Sequence, residues 1–259
     1  MNDSSTRRLG RAVLVVGLAA GIGFTIASPA LTAVIPGTSG DDVHFGLDND
    51  NADNPFIQPP GVPATLHMDD ADVVFGREGD DLLVGNLGSD TIPGGKGSDI
   101  MIGGPEDSTT PSSDVLLGDE GNDINIWAPG DGNDAYVGDK GNDAMVFAPL
   151  LEKADGSLVL GTHAGRKVPR ADIGGQPDLT CTILKIPPEQ QFGAQFLIRF
   201  NVDGDPVASV RLKDVEKLLC PTTAAGNAAV ADLTVANPAF HDVRLTDIGG
   251  VLGAIVAAP

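Results

Sequence analysis

Aspartate recurs through the middle of the chain at a fixed interval. Asp72, Asp81, Asp90 and Asp99 are nine residues apart; the series resumes at Asp114 and Asp123 and, after a two-residue insertion, at Asp134 and Asp143. Glycine keeps the same phase. Gly76, Gly85, Gly94 and Gly103 are nine apart, and Gly79, Gly88 and Gly97 follow the first three of these by three residues. Behind the aspartates come short apolar runs such as Val73-Val74-Phe75, Leu82-Leu83-Val84, Ile100-Met101-Ile102, Val115-Leu116-Leu117 and Ala144-Met145-Val146. Carboxylates brought to matched positions repel one another unless a cation lies between them. The charge balance points the same way. The 259-residue chain has 36 acidic and 16 basic side chains, a net charge of −20. Residues 37–147 hold 23 acidic and three basic residues, 23 − 3 = 20 negative charges, while the remainder is neutral with 13 of each. Such a segment repels a phosphate backbone and attracts cations, which excludes nucleic acid as a partner. With 41% hydrophobic residues the chain is too apolar for a disordered acidic tail.

The period dictates the elements that must place these carboxylates. Each unit is a glycine-rich acidic turn followed by a three-residue apolar strand. A strand that short is not stable alone; stacked in a coil, such strands pair their backbones and bury one side chain each. Glycine permits positive φ and close approach of successive turns. Two units make one turn of the coil, which sets Asp72 beside Asp90 and Asp81 beside Asp99. The insertion 104–112 is expected to break the register of one edge, Pro93 to end a strand, and Asn125 to interrupt an apolar run. The residues by themselves also fit an acidic solenoid with no specific ion, but that alternative does not explain the fixed phase of aspartate and apolar triplet.

The nonapeptides Gly94-Gly95-Lys96-Gly97-Ser98-Asp99-Ile100-Met101-Ile102 and Gly138-Asp139-Lys140-Gly141-Asn142-Asp143-Ala144-Met145-Val146 come closest to G-G-x-G-x-D-x-U-x, with U a large apolar residue. Residues 76–84, 85–93 and 118–126 match in part, and Pro129-Gly130-Asp131-Gly132-Asn133-Asp134 keeps the core of the turn. This pattern resembles the RTX (hemolysin-type) calcium-binding nonapeptide repeat family over residues 72–147, with a degenerate first repeat at Gly37-Thr38-Ser39-Gly40-Asp41-Asp42-Val43-His44-Phe45. The resemblance implies a parallel β-roll, a calcium-binding solenoid with Ca²⁺ held between turns, and fewer ions than repeats because of the departures noted above. Carried over by position, the carboxylate ligands are Asp72, Asp81, Asp90, Asp99, Asp114, Asp123, Asp134 and Asp143. Main-chain carbonyls of the glycine-rich positions, marked by Gly79, Gly88, Gly97, Gly121, Gly132 and Gly141, complete an oxygen shell suited to Ca²⁺. The oxygen-rich stretch 48–53 reads as a loop or a weak further cation site.

Arg7, Arg8 and Arg11 precede the apolar run 12–27 and the small residues 27–33. That order is a secretory signal peptide, cleaved after Ala30 or Ala33 and exported by the general or twin-arginine route. The alternative is an uncleaved anchor, for which the run falls short of the ~20 residues a bilayer requires. Cys181 and Cys220 pair most simply as one disulfide in an oxidising compartment. Beyond residue 148 short strands are expected at 157–160, 181–186, 196–202, 207–212, 232–235 and 241–245, with a short helix at 214–219 capped by Asp214 and a last strand at 251–258. H-E-x-x-H, G-x-S-x-G, S-x-x-K and phosphate-loop motifs do not occur, and His163 and His241 have no catalytic partner legible in sequence.

The sequence thus reads as an all-β, secreted, extracellular protein: a signal peptide at 1–30, a calcium-binding β-roll at 37–147, and a small β-rich, sandwich-like domain with one disulfide at 148–259. It is expected to fold with Ca²⁺, to span no membrane once the signal is removed, and to serve a structural or adhesive role toward cell-surface or matrix components. The competing reading is a secreted hydrolase whose roll is a folding aid, and the missing motifs count against it.

Overall fold

The computed structural model describes residues 31–45, 71–104, 113–154, 157–191 and 193–256. The expected signal peptide at 1–30 and the stretch 48–53 lie outside the described residues. In chain order the first strands are β1 (Leu31–Ile35), β2 (Val43–Phe45), β3 (Ala71–Val74), β4 (Arg77–Glu78), β5 (Leu82–Val84) and β6 (Thr91–Lys96). They are followed by β7 (Ile100–Ile102), β8 (Val115–Glu120), β9 (Ile124–Trp127), β10 (Ala135–Val137) and β11 (Ala144–Phe147). Apart from the short β4, which pairs with β6, successive strands alternate between two sheets, β1-β3-β6-β8-β10 and β2-β5-β7-β9-β11, paired in parallel throughout. This is a parallel β-roll, with two repeat units per coil.

The insertion after β7 does not break the register. Thr91 pairs with Val115 and Lys96 with Glu120, and on the other sheet Ile100 pairs with Ile124. Both offsets are 24 (115 − 91 and 124 − 100), so the extra residues fall between β7 and β8 and outside both ladders. Nor does Pro93 end its strand. β6 runs through it, and its carbonyl accepts the Gly76 N–H at 2.9 Å.

Between the sheets lies a core of Val74, Ile92, Leu116 and Tyr136 from one side and Leu83, Met101, Met145, Trp127 and Phe147 from the other. On the first sheet the strands alternate, with one inward side chain for each outward one, as expected. The second sheet departs from that expectation: β5, β7, β9 and β11 are buried at every residue. Its outer face carries Leu82, Val84, Ile100, Ile102, Ile124 and Ile126, covered by Leu158, Val168, Ala171 and Ile173 and by Ile255 and Val256 near the C-terminus. Each such side chain contributes about 1.5–3 kcal/mol when removed from water. Asn125 sits in this sheet between Met101 and Met145, buried with its Nδ2 lacking a hydrogen-bond partner.

The C-terminal half forms β12 (Leu160–His163), β13 (Arg166–Pro169), β14 (Leu179–Lys185), β15 (Phe196–Val202), β16 (Asp205–Lys213), β17 (Lys217–Cys220), β18 (Asn227–Asp232), β19 (His241–Arg244) and helix α1 (Gly250–Val256). Strand β16 pairs in parallel with β10, and β17 in parallel with β11. These two therefore add one more coil to the roll, after which β15 and β14, and β18 and β19, extend the sheets in antiparallel fashion. Cys181 on β14 and Cys220 on β17 form a disulfide that joins the two sheets. Three local expectations are corrected. Residues 214–219 are a turn and strand rather than a helix, because pairing with β11 claims the backbone from Lys217 on. Residues 250–256 are a helix rather than a strand, since a helix lays Ile255 and Val256 together on the second sheet. The strand expected at 232–235 ends at Asp232, whose carboxylate accepts the Thr234 N–H and hydroxyl in a turn.

Candidate metal centre

The strand register carries the aspartates into two columns. One contains Asp42, Asp81, Asp99, Asp123 and Asp143, each immediately before a strand of the second sheet; the other contains Asp72, Asp90, Asp114 and Asp134. Within a column each main-chain N–H donates to the carboxylate one coil further on. Asp81 N reaches Asp99 Oδ1 at 2.8 Å, Asp99 N reaches Asp123 Oδ1 at 2.7 Å, and Asp123 N reaches Asp143 Oδ1 at 2.8 Å. The second column repeats this from Asp72 to Asp90, Asp90 to Asp114 and Asp114 to Asp134, at 2.7–2.8 Å. All eight aspartates named from the repeat are buried.

The ladder uses only one oxygen of each carboxylate. Oδ2 of Asp81, Asp99, Asp123 and Asp143 is buried and has no hydrogen-bond partner. Leaving such an oxygen unsatisfied is costly, so four in a row mark a place for a ligand that accepts oxygen donors. Each faces the glycine that opens its own turn, and the carbonyl of the next coil crowds the same space. Around Gly118 a Cβ would lie 2.6 Å from Asp123 Oδ2 and 2.7 Å from Gly138 O. A Cβ at Gly121, where φ is 157°, would collide with the carbonyl of Gly97, and one at Gly141 with that of Gly121. These glycines are needed because main-chain oxygens of adjacent coils face them. Gly79 and Gly97 stand at the same point of their turns, and Gly88 and Gly132 hold the turns of the other column with φ of 126° and 73°. Gly132 O also accepts the indole N–H of Trp127 at 3.2 Å. Among the described residues no three His, Cys, Asp or Glu side chains group to hold a metal; the donor set is one carboxylate per turn supplemented by carbonyls. Hard oxygens of this kind fit Ca²⁺.

The model of the RTX calcium-binding nonapeptide repeat (4 copies) matches residues 68–101 and 75–110. Residues 68–110 carry RTX calcium-binding repeats. RTX repeats bind Ca²⁺, and Ca²⁺ is the cofactor of this roll. No curated protein matches the chain.

Burial sets the electrostatics of the RTX columns. It pushes the Asp143 carboxyl up to about 6, Asp99 and Asp134 to about 7, and Asp123 to about 8, and raises Asp81 as well. The ladder N–H bonds oppose this rise in each case, while neighbouring carboxylates add to it at Asp81, Asp99, Asp123 and Asp143. Three features of the site were not read from sequence. The residue before each aspartate of the first column forms a second ladder in the opposite sense: Asp80 N donates to Asp41 Oδ1 at 3.0 Å, Ser98 N to Asp80 Oδ1 at 2.7 Å, and Asn142 N to Asn122 Oδ1 at 2.9 Å. Its signal was visible as the Asp, Ser or Asn preceding every repeat aspartate except Asp72, which follows Ala71. Arg166 on β13 donates from Nη2 to Asp81 O at 2.9 Å and lies in the field of Asp80, Asp99, Asp41 and Asp123. Finally, Glu216 accepts the Asp143 N–H at 2.7 Å. Neither Arg166 nor Glu216 lies in a repeat, so spacing could not reveal them.

Proposed function

We propose that this is an exported protein whose RTX segment, residues 37–147, folds around Ca²⁺, with Asp72, Asp81, Asp90, Asp99, Asp114, Asp123, Asp134 and Asp143 as carboxylate ligands and carbonyls of the glycine-rich turns as the remaining donors. The observation that carries this reading is the row of buried, partnerless Oδ2 atoms on Asp81, Asp99, Asp123 and Asp143. Without the ion, clustered carboxylates oppose closure of the coils; with it, binding energy becomes folding energy. The residues from 148 on form a β-rich unit that extends the same sheets, and the Cys181–Cys220 disulfide supports an oxidising location outside the cell. Among the described residues no helix is long and apolar enough to cross a membrane. The role is structural or adhesive, toward cell-surface or matrix components, rather than catalytic.

Calorimetric calcium titration of Asp99→Asn and Asp123→Asn tests the ligand assignment. Each substitution should lower the number of ions bound or weaken binding by about tenfold or more. Wild-type stoichiometry and affinity in both variants would refute it.

A further inference from the structure

The first carboxylate column continues one rung past the last nonapeptide. Asp143 N donates to Glu216 Oε2 at 2.7 Å, where one coil earlier Asp123 N meets Asp143 Oδ1 at 2.8 Å. Glu216 stands in register with Asp143 because Ala144 pairs with Lys217. Its turn is truncated. Val137 pairs with Lys213, so Gly138 faces Asp214, and the three residues 214–216 stand opposite the six residues 138–143. Glutamate is one methylene longer than aspartate, and that length lets the shorter turn reach the same rung.

The main-chain donor recurs too. Around Gly118 the crowding oxygens are Asp123 Oδ2 and Gly138 O; around Gly138 they are Asp143 Oδ2 and Asp214 O. Asp143 is 1% exposed, and its Oδ2 is buried without a hydrogen-bond partner. The other column ends differently: Ala135 pairs with Arg211, which places Val210 opposite Asp134. A carboxylate therefore closes only the column whose last oxygen faces Asp214 O.

We propose that the roll has a terminal Ca²⁺ site that no repeat encodes, formed by Asp143, the main-chain carbonyl of Asp214 and the carboxylate of Glu216, through which calcium holds the C-terminal half onto the roll. This rests on the repeat aspartates being ligands. The test uses the full chain, titrated with Ca²⁺ by calorimetry and melted by circular dichroism in EDTA and at rising calcium. Glu216→Gln keeps the size and the acceptor but removes the charge. It should weaken one binding event by about tenfold or more, and its Tm deficit should be absent in EDTA and open as calcium is added. Asp203→Asn, an exposed acid in the β15–β16 turn at the end of that hairpin remote from Asp214, should behave as wild type. A Glu216→Gln deficit of the same size in EDTA as in calcium, with unchanged binding, would show a plain cap and overturn the proposal. Asp99→Asn separates the two readings. If it loses calcium while Glu216→Gln does not, only the terminal site fails; if neither changes binding, the repeat assignment falls as well.

Discussion

At Asp99 and Asp123 one carboxylate serves two purposes. Oδ1 ties its coil to the preceding one through a main-chain N–H, and Oδ2 is left in a dry space facing a glycine. Desolvation is the largest influence on both groups and raises them to about 7 and about 8, far above the ~3.9 of an aspartate in an unfolded chain. The metal-free folded state therefore holds protons that the unfolded state has released. The linkage sign follows: metal-free stability is greatest below the unfolded value and declines as pH rises, until the loss is complete above about 8. Melting in EDTA should show Tm falling between pH 5 and pH 8, and apparent calcium affinity should rise over the same window as the competing protons leave. A Tm in EDTA that is flat or climbs with pH would contradict the assigned burial of these carboxyls.

The elements show which parts of the design were legible in sequence. The repeat strands and their offsets were readable because aspartate, glycine and the central apolar residue are each chemically constrained, and an 18-residue coil follows from a nine-residue half. The full burial of β5, β7 and β9 was not read. Leu82, Val84, Ile100 and Ile102 are plainly apolar, yet a solenoid strand by itself explains only one inward side chain. What explains the others is the packing of Ala148, Leu158, Val168, Ala171, Ile173 and α1 on that sheet, a contact that no local pattern encodes. Likewise β16 and β17 complete a coil without any glycine turn. The hairpin β12–β13 brings another element into play. Arg166 is the cation that this hairpin sets against the acidic column, where burial lowers its pKa and the neighbouring aspartates oppose that shift. It partly offsets the column's charge in the metal-free chain and repels an incoming cation. Replacing it with Gln should tighten calcium binding by a factor of about three to ten and lower Tm in EDTA; calcium titration and melting read both. Weaker calcium binding in Arg166→Gln would show that the guanidinium supports the site instead.

On the scale of the whole molecule, two continuous sheets join the RTX coils to the C-terminal strands, so calcium binding and the stability of the second half are linked through main-chain pairing at β10–β16 and β11–β17. The disulfide reinforces that junction by crossing from β14 to β17 over a separation of 39 residues. Replacing both Cys181 and Cys220 with serine should cost about 4 kcal/mol in the chain-entropy account, measured by urea unfolding in saturating calcium; an unchanged midpoint would show that the sheets alone fix the junction. The net charge of −20 sets the opposing force throughout, since self-repulsion disfavours the compact state until cations neutralise it. The most direct measurement is far-ultraviolet circular dichroism of the EDTA-stripped full chain, titrated first with Mg²⁺ and then with Ca²⁺. Calcium should produce a cooperative gain of β signal that magnesium does not, because the smaller ion demands octahedral geometry and retains its waters. A spectrum identical with and without calcium would contradict the coupling of folding to the ion.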